Sequence, residues 1–251
     1  MKEVLISGKN LKKTYVLSKE EQVHAVDGID IEIRKGEFVV IMGDSGSGKS
    51  TLLYLLSGLE TISDGDVYIG SYKINDMSED ELAIFRRKNL GFVFQNINLI
   101  PNMTLFENVV LPGLLSGDSY ESVTSHAIEL LKKLDLEDQT DKLPAQMSGG
   151  QQQRGAIVRA LINSPDTIFA DEPTGALNSS NSKNVIETLK HLNELGQTII
   201  MVTHDYKMAA YGERILYIRD GKILSEKKND KETAVLEREK QLATWLNEKG
   251  W

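Results

Sequence analysis

Cysteine is absent from all 251 residues, which excludes disulfides and cysteine-based metal sites. That lack does not fix a redox compartment, but it agrees with a reducing one. Nowhere do about 18 apolar residues follow one another, so no membrane span is expected. A basic excess is missing too. The 29 Lys and Arg face 37 Asp and Glu, for a formal net charge of -8. This balance weighs against nucleic acid as the main partner, because phosphate binding favours a basic face. Internal repeats and low-complexity linkers are also lacking. The opening MKEVLISGKNLKKTY scatters its charges and has no apolar run before a small-residue cleavage site, so no secretory signal is expected and the chain is placed in the cytoplasm. What remains is an ordinary globular composition, 40% hydrophobic and 26% charged. The length suits one large domain, or a domain with a sub-domain.

The hydropathy pattern alternates between two periods. Val4 to Ile6 and Ala25 to Ile33 read as strands, with VLSKEEQVH between them as a polar loop or hairpin tip. Glu37 to Met42 is a short continuous apolar run, as in a buried parallel strand, and Lys49 to Ser57 continues as a helix. DGDVYIG and LGFVFQ are strands separated by the charged helix SEDELAIFRRK. Thr104 to about Lys133 is mostly helical, with a break expected at Pro112 to Ser119, and forms a helical sub-domain. Thr167 to Glu172 (TIFADE) and Thr198 to His204 (TIIMVTH) are further buried strands, each followed by a helical pattern. ILYIRDGKIL reads as a hairpin turning at Asp220-Gly221. This order predicts an open, mostly parallel α/β sheet. The charged tail after Lys227 places Val235, Leu236, Leu242, Trp245 and Leu246 roughly on one helical face, which reads as a terminal helix packed on its own domain more readily than as a partner-binding helix.

Three motifs carry chemistry. GDSGSGKST spans Gly43, Asp44, Ser45, Gly46, Ser47, Gly48, Lys49, Ser50 and Thr51, between a strand and a helix, as a phosphate-binding loop requires. Glycines let backbone N–H groups turn inward around phosphate oxygens, and the helix N-terminus favours anions. Lys49 can reach the β- and γ-phosphates, and Ser50 can ligate Mg²⁺. TIFADE ends in two acids at the edge where open α/β sheets bind ligands. Asp171 can hold Mg²⁺ through water, and Glu172 can orient or deprotonate the attacking water. Alone, two acids after a strand are an ordinary solvated strand end; beside a phosphate loop the catalytic reading prevails. MSGGQQQR begins a helix with a hydroxyl and exposed N–H groups, a second anion-binding N-terminus. A plain N-cap explains Ser148, but not two glycines and three glutamines after it.

With SGGQ lying between the phosphate loop and TIFADE, the chain resembles the nucleotide-binding subunit of an ATP-binding-cassette transporter, from about Val4 to Lys227. The resemblance implies an α/β fold with a P-loop NTPase core, an antiparallel β sub-domain and a helical sub-domain at about 96–160, all within 1–227, leaving 228–251 as the charged tail. It also implies ATP and Mg²⁺ as cofactors and a homodimer on ATP binding. In that dimer, ATP on the phosphate loop of one subunit is covered by Ser148, Gly149, Gly150 and Gln151 of the other. Gln95 resembles the glutamine that senses Mg²⁺ and the attacking water, and His204 the switch histidine that contacts the γ-phosphate. Tyr15 resembles the aromatic residue that stacks on adenine; by itself a tyrosine at a strand end is most often core packing. The sequence departs from the family at Asn178, where an aspartate is usual in a segment that crosses the dimer interface. Met147 for the usual leucine conserves volume.

The polar insert after Tyr15, FQNINLIPNMTLFENV and DEPTGAL are similar to the branch containing macrolide exporters, lipoprotein-release ATPases and antimicrobial-peptide (bacitracin-type) resistance transporters. What this implies is an ATPase at the cytoplasmic face of the membrane. It would power a separate permease subunit for export or extraction of a peptide, lipoprotein or antibiotic. Asn96 to Asn108 would dock the permease through Ile97, Leu99, Ile100 and Met103, unless these only fill the helical sub-domain; the sequence does not separate the two. A regulatory ATPase on a membrane sensor has the same chemistry. A soluble cassette acting on DNA or ribosomes fits poorly, since those carry two cassettes or a long coiled coil.

Overall fold

A computed structural model describes residues 3–16, 18 and 22–251. In chain order the strands are β1 (Val4–Val16), β2 (Gln22–Arg34), β3 (Phe38–Gly43), β4 (Asp64–Ile69), β5 (Tyr72–Lys73), β6 (Leu90–Phe94), β7 (Thr167–Asp171), β8 (Thr198–Val202), β9 (Arg214–Arg219) and β10 (Lys222–Lys228). The helices are α1 (Lys49–Leu56), α2 (Glu79–Asn89), α3 (Leu105–Leu115), α4 (Tyr120–Lys133), α5 (Gly149–Leu161), α6 (Ser179–Glu194), α7 (Tyr206–Ala209) and α8 (Val235–Glu248).

Two sheets form. The larger runs β10-β9-β3-β8-β7-β6, and only β10 is antiparallel to its neighbour. The smaller is antiparallel, in the order β2-β1-β4-β5. The α/β class with a mostly parallel sheet and an antiparallel sheet is therefore the one the sequence led us to expect. Strand β3 shows why its sequence is apolar throughout. Phe38, Val40 and Met42 enter a core shared with α3 to α6 and α8, while Val39 and Ile41 enter a second core against α1 and the smaller sheet. A strand buried on both faces has no polar alternation to display.

Three local readings change. The first strand extends well past Ile6 to Val16, and the second begins at Gln22. Register shifts near Gly8 to Lys13 break the period-two pattern, so KNLKKTY does not look like a strand in sequence. Of the expected hairpin tip VLSKEEQVH, Val16 and Gln22 to His24 belong instead to the two paired strands, and residues 17 and 19–21 lie outside the described residues. The break expected at Pro112 comes later, because α3 continues through Pro112 to Leu115. Val109, Val110 and Gly113 on that helix are buried, and Gly113 lies so close to Val123 and Ile162 that the packed helix outweighs the hydrogen bond proline forfeits. Gly117, at φ +91, then marks the stop.

The tail helix α8 packs on its own domain, with Leu242 and Leu246 fully buried and Val235 and Trp245 against the core. Leu236 is not on that face and is 65% exposed. Arg238 takes the buried position instead and donates to the Lys231 carbonyl at 2.8 Å. The Asp220-Gly221 turn has both residues at positive φ, 49° and 72°, as a two-residue hairpin needs.

Candidate functional site

The loop between β3 and α1 is shaped by its glycines. Gly48 sits at φ +98, and a Cβ there would lie 1.9 Å from the Ala25 carbonyl oxygen. Gly43 presses equally closely on the Ile218 carbonyl. Both faces of the loop are thus set by backbone that admits no side chain. Asp44, Ser45 and Gly46 are exposed on the rim, whereas Ser47 and Lys49 are buried, and the Ser47 hydroxyl has no partner. The Lys49 ammonium folds back to donate to the Asp44 carbonyl at 2.6 Å. Burial pushes Lys49 below the usual lysine range, opposed by the charges of Glu172, Asp44 and Asp171. A buried cation at the start of a helix, within a cradle of glycine backbone, suits a polyphosphate.

The two acids diverge in role. Asp171 ends β7 and accepts two hydrogen bonds from α1, from Ser50 Oγ at 2.9 Å and from the Tyr54 hydroxyl at 2.5 Å. Tyr54 was not singled out in the sequence; its only signal is its place four residues after Ser50, on the same helix face. Its phenol is pushed well above the ordinary tyrosine range by burial first and by the hydrogen bond to Asp171 second, so it stays a donor. Glu172 turns away in the left-handed region at φ 46, which for a side chain other than glycine costs on the order of 1 to 3 kcal/mol. Its N–H donates to the Val202 carbonyl at 3.0 Å, and its carbonyl accepts from Gly175. Its carboxylate meets His204 Nδ1 at 2.8 Å. His204 follows β8 and is largely exposed, while Glu172 is mostly covered. The pair opens on a cleft of about 570 Å³ whose walls include Leu177, Lys183 and Leu236; the phosphate loop does not line it.

Gln95 is the first residue past β6, and its side-chain amide lies against Gly175, where a Cβ would sit 2.8 Å from Nε2. Ser50, Asp171 and Gln95 together offer only hydroxyl, carboxylate and amide oxygens, a set that fits Mg²⁺. Among the described residues no cluster of three or more His, Asp or Glu could cage a metal alone. One carboxylate completed by substrate phosphate and water is the arrangement Mg²⁺ commonly takes.

The start of α5 is elsewhere. Ser148 caps it, accepting from the Gln151 N–H at 3.3 Å while Gln151 Oε1 accepts from the Ser148 N–H at 2.8 Å. The contacts that fix Gly149 and Gly150 run to Leu177 and Asn181, not to residues 43–51. The other glutamines have local work. Gln152 donates to the Met147 carbonyl, and the buried Gln153 donates to the Phe94 carbonyl, tying α5 to the strand end just before Gln95. Asn178 caps α6, accepting from the Asn181 N–H at 2.9 Å. Tyr15 lies on β1, half-buried, donating to Glu60 at 3.2 Å with the Lys13 ammonium 5.1 Å over its ring. In the 96–108 segment Leu99 is buried, Ile100 is exposed, and Ile97 and Met103 are intermediate. The buried Asn108 side chain holds the segment by bonding both the N–H and the carbonyl of Ile100.

Comparison with known proteins adds four findings. The ABC transporter family model matches residues 26–175. An uncharacterized ABC transporter ATP-binding protein of Methanocaldococcus jannaschii, MJ0796, is 47% identical over 232 residues, covering 89% of this chain and 97% of its own. A dimeric structure of MJ0796 in a post-hydrolysis state, bound to ADP and Pi, superposes with a TM-score of 0.81 at 45% identity, covering 89% of this chain and 98% of that one. The macrolide export ATP-binding/permease protein MacB of Neisseria meningitidis is 45% identical over 222 residues. That alignment covers 88% of this chain, which spans only 34% of MacB's length.

Proposed function

The chain belongs to the ABC transporter family as an ATP-binding subunit with ATPase activity, and from that premise we propose that it powers a separate membrane permease in export or extraction of a peptide, lipoprotein or antibiotic. The kinship with MacB, whose name joins ATP-binding and permease functions, supports this reading. No helix among the described residues is long and apolar enough to cross a membrane. The active state is a homodimer, supported by the dimeric MJ0796 structure. In it, Ser148, Gly149 and Gly150 of one subunit cover ATP held by Gly43 to Thr51 of the other. The chain then works at the cytoplasmic face of the membrane.

In this mechanism Lys49 and the loop N–H groups bind the β- and γ-phosphates. Tyr15 carries the adenine. Ser50, Gln95 and Asp171 would hold Mg²⁺, which when bound would neutralise phosphate charge. Glu172 accepts the proton of the attacking water, and His204, 2.8 Å away, orients the carboxylate and contacts the γ-phosphate. Lys49, His204 and the opposing helix start stabilise the charge that develops in the transition state. Closure of the dimer pulls on the permease through the segment 96–108, and product release reopens it.

The observation that carries the proposal is the placement of Asp171 on Ser50 of the phosphate loop, with Glu172 beside it paired to His204. The test is co-purification of this chain with the permease encoded nearest to it, followed by ATPase assay. Complex formation with ATP turnover is expected, with Lys49→Ala losing most ATP binding. A Lys49→Ala chain that binds ATP normally would overturn the assignment of the phosphate loop.

A further inference from the structure

Helix α1 grips Asp171 twice. Ser50 Oγ donates to Oδ1 at 2.9 Å, and the Tyr54 hydroxyl donates to Oδ2 at 2.5 Å. The two donors are four residues apart and therefore on one face of the helix. Tyr54 interrupts a leucine run in which Leu52, Leu53, Leu55 and Leu56 are all buried, and its ring packs against the same core. Packing alone would be served by another apolar residue. A hydroxyl at this depth is costly unless it is bonded, and its bond goes to a carboxylate, the stronger and shorter kind. A carboxylate held by one oxygen only is free to rotate about its broad terminal torsion; held by both, it has one orientation.

We propose that Tyr54 is a positioning residue for the divalent-cation site: its hydroxyl locks the Asp171 carboxylate so that the edge facing Ser50 is presented to Mg²⁺. Tyr54 itself touches neither metal nor nucleotide. The inference rests on the reading of Ser50 and Asp171 as the metal-holding pair. Groups that orient a metal-holding carboxylate in this way are worth roughly 10- to 100-fold in metal affinity.

The experiment uses the full chain and a non-hydrolysable ATP analogue. Analogue affinity is measured by equilibrium dialysis in EDTA and then across a Mg²⁺ titration, for the parent, Tyr54→Phe, Tyr54→Leu and Asp171→Asn. In Tyr54→Phe the metal-free affinity stays within about twofold of the parent, while the Mg²⁺ midpoint rises roughly 10- to 100-fold. Tyr54→Leu, which also removes the hydroxyl, shows the same displacement and serves if the phenylalanine variant does not fold. An unchanged Mg²⁺ midpoint in Tyr54→Phe overturns the inference, as does an equal loss with and without metal, which would make Tyr54 a structural residue only. The Asp171→Asn arm separates the two levels. If its midpoint also fails to move, the metal-site reading itself falls; if it moves while Tyr54→Phe does not, only the role of Tyr54 falls.

Discussion

Glu172→Gln removes a proton acceptor and very little else. The amide has the size of the carboxylate and meets the same backbone demands at φ 46, and the N–H bond to Val202 and the carbonyl bond from Gly175 do not involve the side chain. Its oxygen can still face His204, whose ring is mostly in solvent, so the lost charge changes stability by no more than about 1 kcal/mol. ATP binding depends on Lys49 and the glycine loop and is expected to survive. The chemical step is not. Loss of a general base typically slows a reaction by about 10²- to 10⁴-fold, or about 2.7 to 5.4 kcal/mol of barrier. Phosphate release under saturating MgATP measures this directly. A dimer closed on ATP then has no hydrolytic exit and accumulates, so light scattering after gel filtration should show a monomer-to-dimer shift in the variant and only a transient dimer in the parent. A variant turning over at the parent rate would refute the general-base role. One that binds ATP, fails to hydrolyse it and never dimerises would count against the covering role given to Ser148, Gly149 and Gly150, or show that the dimer needs the membrane partner.

Gly48→Ala forces a Cβ to within 1.9 Å of the Ala25 carbonyl at φ +98, so the loop must move and ATP affinity, read by dialysis, should fall at least about tenfold, or about 1.4 kcal/mol. Gly117→Ala, at φ +91 with open space around it, carries the backbone strain without the collision and should keep ATP affinity. Tyr15→Ala should weaken ATP binding by about 1 to 2 kcal/mol, as for one stacked base, and leave the maximal rate much less affected. A large rate loss at unchanged affinity would place Tyr15 in packing or an interface. Asn178→Asp should hold stability within about 0.5 kcal/mol in denaturant titration, because the two residues cap helices equally well. It should alter the Hill coefficient of ATP hydrolysis, and identical cooperativity and turnover would make the residue's departure neutral.

Residues whose chemistry is local were the legible ones. The phosphate loop announces itself because glycine spacing, a preceding strand and a following helix are all written in one short stretch, and β7 does so because four buried residues run into two acids. Tyr54 was hidden because its partner lies 117 residues away, and nothing in LLYLL says which face the ring takes. The glutamines of SGGQQQR looked like one motif, yet they divide into a cap, a turn contact and a tie to Phe94, because successive residues on a helix point about 100° apart. The same rotation removes Leu236 from the face of Leu242 and Leu246 and installs Arg238 instead. Pro112 misled because its cost is local whereas the packing that overrides it comes from α4 and α5.

The segment from Glu172 to Asn181 gathers these separate readings into one physical object. Its first residue pairs with His204, its Gly175 lies against Gln95, its Leu177 lies against Gly149, and Asn181 lies against Gly150. Two of these approaches are close enough that a Cβ on Gly150 or Gly175 would come within 2.8 Å of the facing side chain. The segment's own ends are fixed, by the Glu172 N–H on Val202 and by the Asn178 cap on α6. The start of α5, where the proposed partner subunit's nucleotide would sit, is thus joined to Glu172 and Gln95 by contacts along ten residues. Close packing leaves such a segment few arrangements, which favours a switch between discrete positions over a graded response. In this geometry the glycines of SGG and of PTG serve approach: they bring the helix start, the glutamine and the acid onto a single short stretch of chain.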